Sequence, residues 1–378
     1  MAGSQVLHEA RFVFVVMECF HVDLVNLIEE QREMKLSSLN RILCVAAIVF
    51  PAGIAQAVNI EMVTVGNAGN VGERSGSAIS GGYGPGRTCG AVNYTYQIGK
   101  YEVTAGQYTE FLNAVGGIDT YGIYYPSMSN TQFVCGIARS GGGTAGNPYT
   151  YTVAPDFVRR PVNCVSWANA ARFANWLHNG QPTGIQDYST TEDGAYYLNG
   201  ATTTEALQAV SRKTNWKWAI TSEDEWYKAA YHKNDGVTGN YFEYPTSSDS
   251  AAGRDLADLS GNNANCYGTP YPISSNIYTT LVGEFQNTTS AYGTYDQCGN
   301  VNEWNEAIIG LARGLRGGSL YNTSLNIPKA SFRNEYEDPA SVSAYTGFRV
   351  VCVPEPNSLT MTILFASGGL VYWRRRNR

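Results

Sequence analysis

Charge is scarce in this chain of 378 residues, where Asp, Glu, Lys and Arg together make up 15%, against roughly a quarter in an average globular protein. The 26 basic residues are outnumbered by 32 acidic ones, and the formal net charge of -6 argues against a nucleic-acid binder, which presents a basic face. Histidine is scarcer still. Beyond residue 57 only His178 and His232 remain, too few for a three-histidine metal site. Six cysteines lie beyond the same point, Cys89, Cys135, Cys164, Cys266, Cys298 and Cys352, at long irregular separations and with no Cys-x-x-Cys. Zinc-ribbon and thioredoxin-like motifs are therefore unsupported, and the disulfide pattern stays open. Ser140-Gly141-Gly142-Gly143 lacks the lysine that completes a phosphate loop.

What is abundant points elsewhere. A chain that is 43% hydrophobic and 12% aromatic can bury a full core, in one large domain or two ordinary ones. Forty glycines and 26 tyrosines suggest long ordered loops pinned by aromatic rings.

Along the chain, residues 1–33 read as an over-called start or a leader, and Met34 opens a secretory signal peptide over 34–57. Lys35 and Arg41 supply its basic end, Ile42 to Ile54 its apolar stretch and Ala55-Gln56-Ala57 its cleavage site. Pro51 and Gly53 would break this stretch as a buried helix. Ile60 to Val65 alternates as a half-buried strand, and Gly66 to Gly90 is a Gly/Ser-rich excursion. Apolar spacing predicts helices over Val103 to Val115 and from Val165 to about His178, with Thr104 and Ser166 as caps. A third runs over Ser222 to Tyr231, where Ser222 and Glu225 form a capping box; its carboxylates suit that structural role better than acid–base catalysis. Gln181 to Trp216 reads as a polar, Thr-rich insertion without a motif.

The densest chemistry lies between Tyr295 and Ser319. Asp296, Asn300, Asn302 and Glu303 crowd a turn containing Gly299, so that hard oxygen donors and bent backbone carbonyls could hold calcium; a turn that merely faces water is the alternative.

Five ordered motifs resemble the formylglycine-generating enzyme family, also called sulfatase-modifying factors. They are Ile98 to Thr104, Arg160-Pro161-Val162-Asn163 with Trp167, Thr221-Ser222-Glu223-Asp224-Glu225-Trp226, and Gly299-Asn300-Val301-Asn302-Glu303-Trp304 followed by Arg316-Gly317-Gly318-Ser319. Gly347-Phe348-Arg349 resembles the closing strand. The resemblance covers residues 58–353 and implies a single α+β domain of modified C-type-lectin-like fold, loop-rich and low in regular secondary structure. It also implies calcium held by the Asp296 and Glu303 side chains and by the Gly299 and Val301 carbonyls. Asn265 matches one ligand of a second calcium site, although Ser274 to Asn276 lacks the expected aspartate.

Copper is a different matter. Catalytic relatives carry two cysteines soon after the Arg-Gly-Gly-Ser motif, soft ligands for copper(I), whereas this chain reads Leu320 to Pro328 without one, and Asn322 stands about where the first belongs. A non-catalytic binding module for a glycan, peptide or envelope protein is therefore expected, an enzyme using the same cleft with other residues being the alternative. Arg316, Asn322, Asn326, Arg333 and Asn334 would line its groove, although Arg316 and Arg349 are equally suited to pairing buried carboxylates. Finally, residues 354–378 resemble a PEP-CTERM sorting signal: Pro354-Glu355-Pro356, an apolar run from Leu359 to Trp373 and a tail from Arg374 to Arg378. This implies signal peptidase and an exosortase as processing partners, transient membrane anchoring, and a mature domain at the cell envelope, surface or beyond; a permanent tail anchor is the alternative.

Overall fold

The computed structural model describes residues 57–353 apart from 267–272, 274–275, 323 and 334. The expected leader of 1–33, the expected signal peptide of 34–57 except its last residue, and the tail of 354–378 lie outside the described residues. Three caps set the main helices. Thr104 accepts from the Gln107 N–H while the Gln107 side chain accepts from the Thr104 N–H, and helix α1 (Ala105–Val115) follows. Ser166 caps α2 (Trp167–His178), whose residues 167–177 are all buried. Within the expected insertion, Thr203 caps the short α3 (Thr204–Gln208). Ser222 and Glu225 form the capping box of α4 (Glu223–Tyr231), as expected.

Among the described residues twelve short strands carry the rest: β1 (Met62–Val65), β2 (Glu73–Ser75), β3 (Arg87–Cys89), β4 (Tyr96–Gly99), β5 (Ile137–Ser140), β6 (Thr150–Val153), β7 (Trp218–Ile220), β8 (Asn302–Ile309), β9 (Ala312–Arg316), β10 (Tyr336–Glu337), β11 (Thr346–Gly347) and β12 (Val350–Cys352). One sheet has the order β1-β4-β12-β7, with every neighbour antiparallel. A second has the order β10-β9-β8-β11, in which β11 runs parallel to β8. The chain passes from the second sheet to the first between β11 and β12, and Arg349 sits at that crossover. This is the α+β, loop-rich fold read from the motifs.

The core is aromatic where the helices meet. Phe111 and Phe173 pack edge-on with centroids 5.4 Å apart, and Phe348 closes on Phe173 at 5.3 Å. The segment expected to be a polar insertion belongs to this core: Ala195, Tyr196, Leu198 and Leu207 are buried, and Glu192 pairs with the equally buried Arg172 at 2.8 Å. Its polar composition hides this because its threonines are satisfied internally, as where Thr190 Oγ1 donates to the Ile185 carbonyl and Thr191 Oγ1 to Glu192 Oε1. Among the described residues no helix is long and apolar enough to cross a membrane.

Candidate functional site

The turn leading into β8 is built by backbone that few residues tolerate. Asp296, Gly299 and Asn300 have φ of 61°, 94° and 59°, the left-handed region that glycine, and next to it Asp and Asn, adopt most readily. Gly299 is required twice over, since a Cβ there would lie 2.4 Å from the Asn265 carbonyl oxygen. The turn delivers Asp296 on one side and, at the second residue of β8, Glu303 on the other. Glu303 is fully buried: Arg349 Nε donates to its Oε2 at 2.5 Å and Nη2 to its Oε1 at 2.6 Å, while Trp226 Nε1 donates to Oε2 at 2.7 Å. Arg349 completes its shell with the Gly99 and Tyr295 carbonyls.

A third carboxylate joins them. Glu102, 2% exposed, accepts from Asn300 Nδ2 and from the Val301 N–H, both at 3.4 Å. Burial raises its carboxyl well above the usual range, the charges of Asp296 and Glu303 add to this, and Arg349 only partly opposes it. Burial likewise pushes the half-buried Asp296 up to about 7, against hydrogen bonding from the Gly283 N–H and the charge of Arg349. Three carboxylates thus share one guanidinium. Among the described residues no three His, Cys, Asp or Glu side chains form a ready metal cage, so a cation held here would depend on backbone carbonyls as well. The acidic excess and the hard oxygen donors fit calcium. A hollow of about 330 Å³ bordered by Glu61, Glu102 and Glu110 reaches the cluster from outside. Asn265 lies alongside: its Nδ2 donates to the Tyr278 carbonyl and to Asn300 Oδ1, and its buried Oδ1 has no partner among the described residues.

The expected ligand groove does not form as one surface. Arg316 and Arg333 are 3% and 8% exposed and converge on Glu223, which accepts from Arg316 Nη2 at 2.8 Å, Arg333 Nε at 2.8 Å and Arg87 Nη1 at 2.8 Å. Their charge is consumed inside the protein, which corrects their assignment to an open groove. Arg316 and Arg333 hold the Glu223 carboxyl well below the usual carboxylate range despite its burial. Asn326 borders a separate hollow with Tyr83, Lys329 and Phe332, and Asn334 lies outside the described residues. Asn322 alone of the set meets the hollow just past Ser319, and its Oδ1 is turned toward the Ser319 N–H.

That hollow, of about 390 Å³, carries groups the motifs do not single out. Tyr321 and Tyr345 stack at 4.7 Å and 12°, with Tyr321 56% exposed. Glu335 and Glu337, two apart on an extended segment and so on one face, both line it. Burial raises both carboxyls, that of Glu335 further through the charge of Glu337. Asn302 also lines it, with a buried Oδ1 that has no partner among the described residues, and none of its described lining residues is cationic. The alternation of Glu335 and Glu337 about an aromatic was the signal available in the sequence; Glu102, inside the Ile98 to Thr104 motif that was given no site role, gave none.

A family model for the sulfatase-modifying factor enzyme 1-like domain matches residues 59–353. No curated protein matches the chain. Among solved structures, Treponema denticola variable protein 1 is 20% identical with a TM-score of 0.48, covering 79% of this chain and 97% of that one. CarF is 19% identical with a TM-score of 0.46, over 79% and 99% of the two chains. PvdO from Pseudomonas aeruginosa is 19% identical with a TM-score of 0.45, over 78% and 95%.

Proposed function

The chain belongs to the family of sulfatase-modifying factor enzyme 1-like domains, and we propose that it is an exported, calcium-stabilised binding module whose recognition site is the hollow beyond Ser319. The observation that carries this reading is the pairing of what that hollow lacks with what it offers. No cysteine lies along Leu320 to Pro328, so the thiolates that copper(I) chemistry needs are lacking, and Cys298 is turned toward Cys266 instead. A stacked tyrosine pair and two carboxyls offer a flat apolar face and acceptors, a set suited to a neutral glycan or to a peptide bearing amides or a cationic side chain. Anionic ligands are disfavoured by Glu335 and Glu337.

Calcium, in this reading, neutralises the surplus charge of Glu102, Asp296 and Glu303 and fixes the turn that starts β8. Asp296 and the carbonyls of Gly299 and Val301 would hold it, with Glu303 shared between the ion and Arg349. The resemblance of 34–57 to a signal peptide and of 354–378 to a sorting signal supports the reading of export to the envelope or surface, and mature protein lacking the sequence after about Pro354 by intact mass is the expected outcome. For the ligand, the full protein is presented to arrays of neutral and acidic glycans and of peptides. Tyr321→Ala is expected to weaken the strongest hit about tenfold, the effect of losing roughly 1.4 kcal/mol of stacking. Unchanged binding by Tyr321→Ala and Glu335→Gln would refute the site. A second reading, acid–base chemistry in the same hollow, is favoured by the raised carboxyls of Glu335 and Glu337. Conversion of a Cys-x-Pro-x-Arg peptide to formylglycine by copper-loaded protein would overturn the binding reading outright.

A further inference from the structure

The acidic turn is backed by a pair of sulfurs. Cys266 and Cys298 are both buried, 1% and 4% exposed, and their Sγ atoms lie 3.9 Å apart in a small apolar cluster with Ala252 and Ala264. The segments bearing them are held together independently of the sulfurs. The Asn300 N–H donates to the Asn265 carbonyl at 2.8 Å, and Asn265 Nδ2 donates to Asn300 Oδ1 at 3.2 Å. Gly299 lets the two backbones approach so closely that a Cβ on it would lie 2.8 Å from Cys266 Cβ. A disulfide needs its sulfurs about 2 Å apart. Side-chain rotation is the motion that would bring the sulfurs together without breaking the hydrogen bonds between Asn265 and Asn300.

We propose that Cys266 and Cys298 form a disulfide that staples the Asn265–Cys266 segment to the turn carrying Asp296, Gly299 and Glu303. The step is a thiol–disulfide exchange with a small-molecule or protein disulfide. One cysteine, as thiolate, attacks the donor disulfide and expels one donor thiol; the second then attacks the mixed disulfide and expels the other. The two cysteines are oxidised, the donor is reduced to two thiols, and the two cysteine protons end on those thiols. Because both sulfurs are buried in the native fold, the exchange takes place during folding, before the cluster closes. The cross-link closes a loop of 32 residues that includes the segment 267–272, so it restricts the unfolded chain and holds the turn against its support. This does not depend on what the hollow beyond Ser319 binds.

The test is cysteine mapping on the full chain, unfolded under reducing conditions and refolded with oxidised and reduced glutathione, then alkylated in denaturant and digested. The expected result is one peptide pair joining Cys266 to Cys298, lighter than the two thiols by two hydrogens and released by reductant. The melting midpoint of the oxidised protein should rise by several degrees, a gain absent in Cys266→Ala and Cys298→Ala alike. The same mapping on protein exported to a bacterial periplasm and never unfolded removes any dependence on refolding. Full alkylation of both residues in protein whose circular dichroism is native, or cross-linking of either to another cysteine, would overturn the proposal.

Discussion

Two buried charge clusters flank Trp226, and they are balanced in opposite ways. Around Glu223, carboxylates and guanidiniums come close to parity: Arg87, Arg316 and Arg333 share Glu223, and Arg87 also reaches Asp224 at 2.5 Å. Around Glu303, three carboxylates face the single guanidinium of Arg349. The first cluster is complete within the chain, and desolvated charge there is answered by desolvated charge. The second carries a surplus of carboxylates that no second guanidinium answers among the described residues, and burial with like charge raises the carboxyls of Glu102 and Asp296. The difference teaches that equally buried charge can be closed by ion pairing or left in excess, and the excess is what the calcium proposal rests on.

The comparison breaks most visibly at its closed half. Glu223→Ala leaves Arg316 and Arg333 buried without their partner, and a loss of about 3–5 kcal/mol in chemical denaturation is expected. A loss below about 1 kcal/mol would mean that the cluster is not the closed ion network described. At the open half, Gly299→Ala forces a side chain into φ 94° and against the Asn265 carbonyl at 2.4 Å. About 2 kcal/mol of destabilisation is expected, together with weaker calcium binding by calorimetry.

The two halves also respond to pH with opposite sign. The folded-state carboxyl of Glu223 is depressed below its ordinary 4.5, so its contribution is present above that value and is lost as pH falls through the folded range. Asp296 is raised from 3.8 to about 7, so in metal-free protein its contribution is present below the ordinary value and is lost as pH rises toward about 7. Melting curves from pH 4 to pH 7 on metal-free protein should therefore show an Asp296-dependent decline that Asp296→Asn abolishes, the smallest of these effects. A decline unchanged in Asp296→Asn would assign it elsewhere.

Much of this was legible in the sequence, because local chemistry decided it. Thr104, Ser166 and Ser222 cap the helices at the expected positions, since a side-chain oxygen and its N3 amide lie three residues apart in any context. The sharp acidic turn was legible for the same reason: Asp296, Gly299 and Asn300 adopt their left-handed conformations locally. What was not legible depends on contacts between distant segments. Arg316 suited either an open groove or an ion pair and Arg333 read only as groove-lining, and only the approach of α4 to the loop after β9 puts Glu223 between them. Glu102, at the end of the segment following β4, meets Asn300 across 198 positions. The segment 181–216 looked peripheral by composition, yet Tyr196 donates to the β8 residue Glu306 through a hydrogen bond no sequence spacing announces.

The central claim, that the cluster of Glu102, Asp296 and Glu303 is completed by a cation, is tested most directly by melting the full protein at pH 7 after EDTA treatment and again with millimolar calcium, alongside Asp296→Asn. The expected result is a calcium-dependent rise of the wild-type midpoint by several degrees that Asp296→Asn loses, while magnesium, which demands a tighter octahedral shell, has less effect. A wild-type midpoint that is the same with EDTA and with calcium would contradict the account.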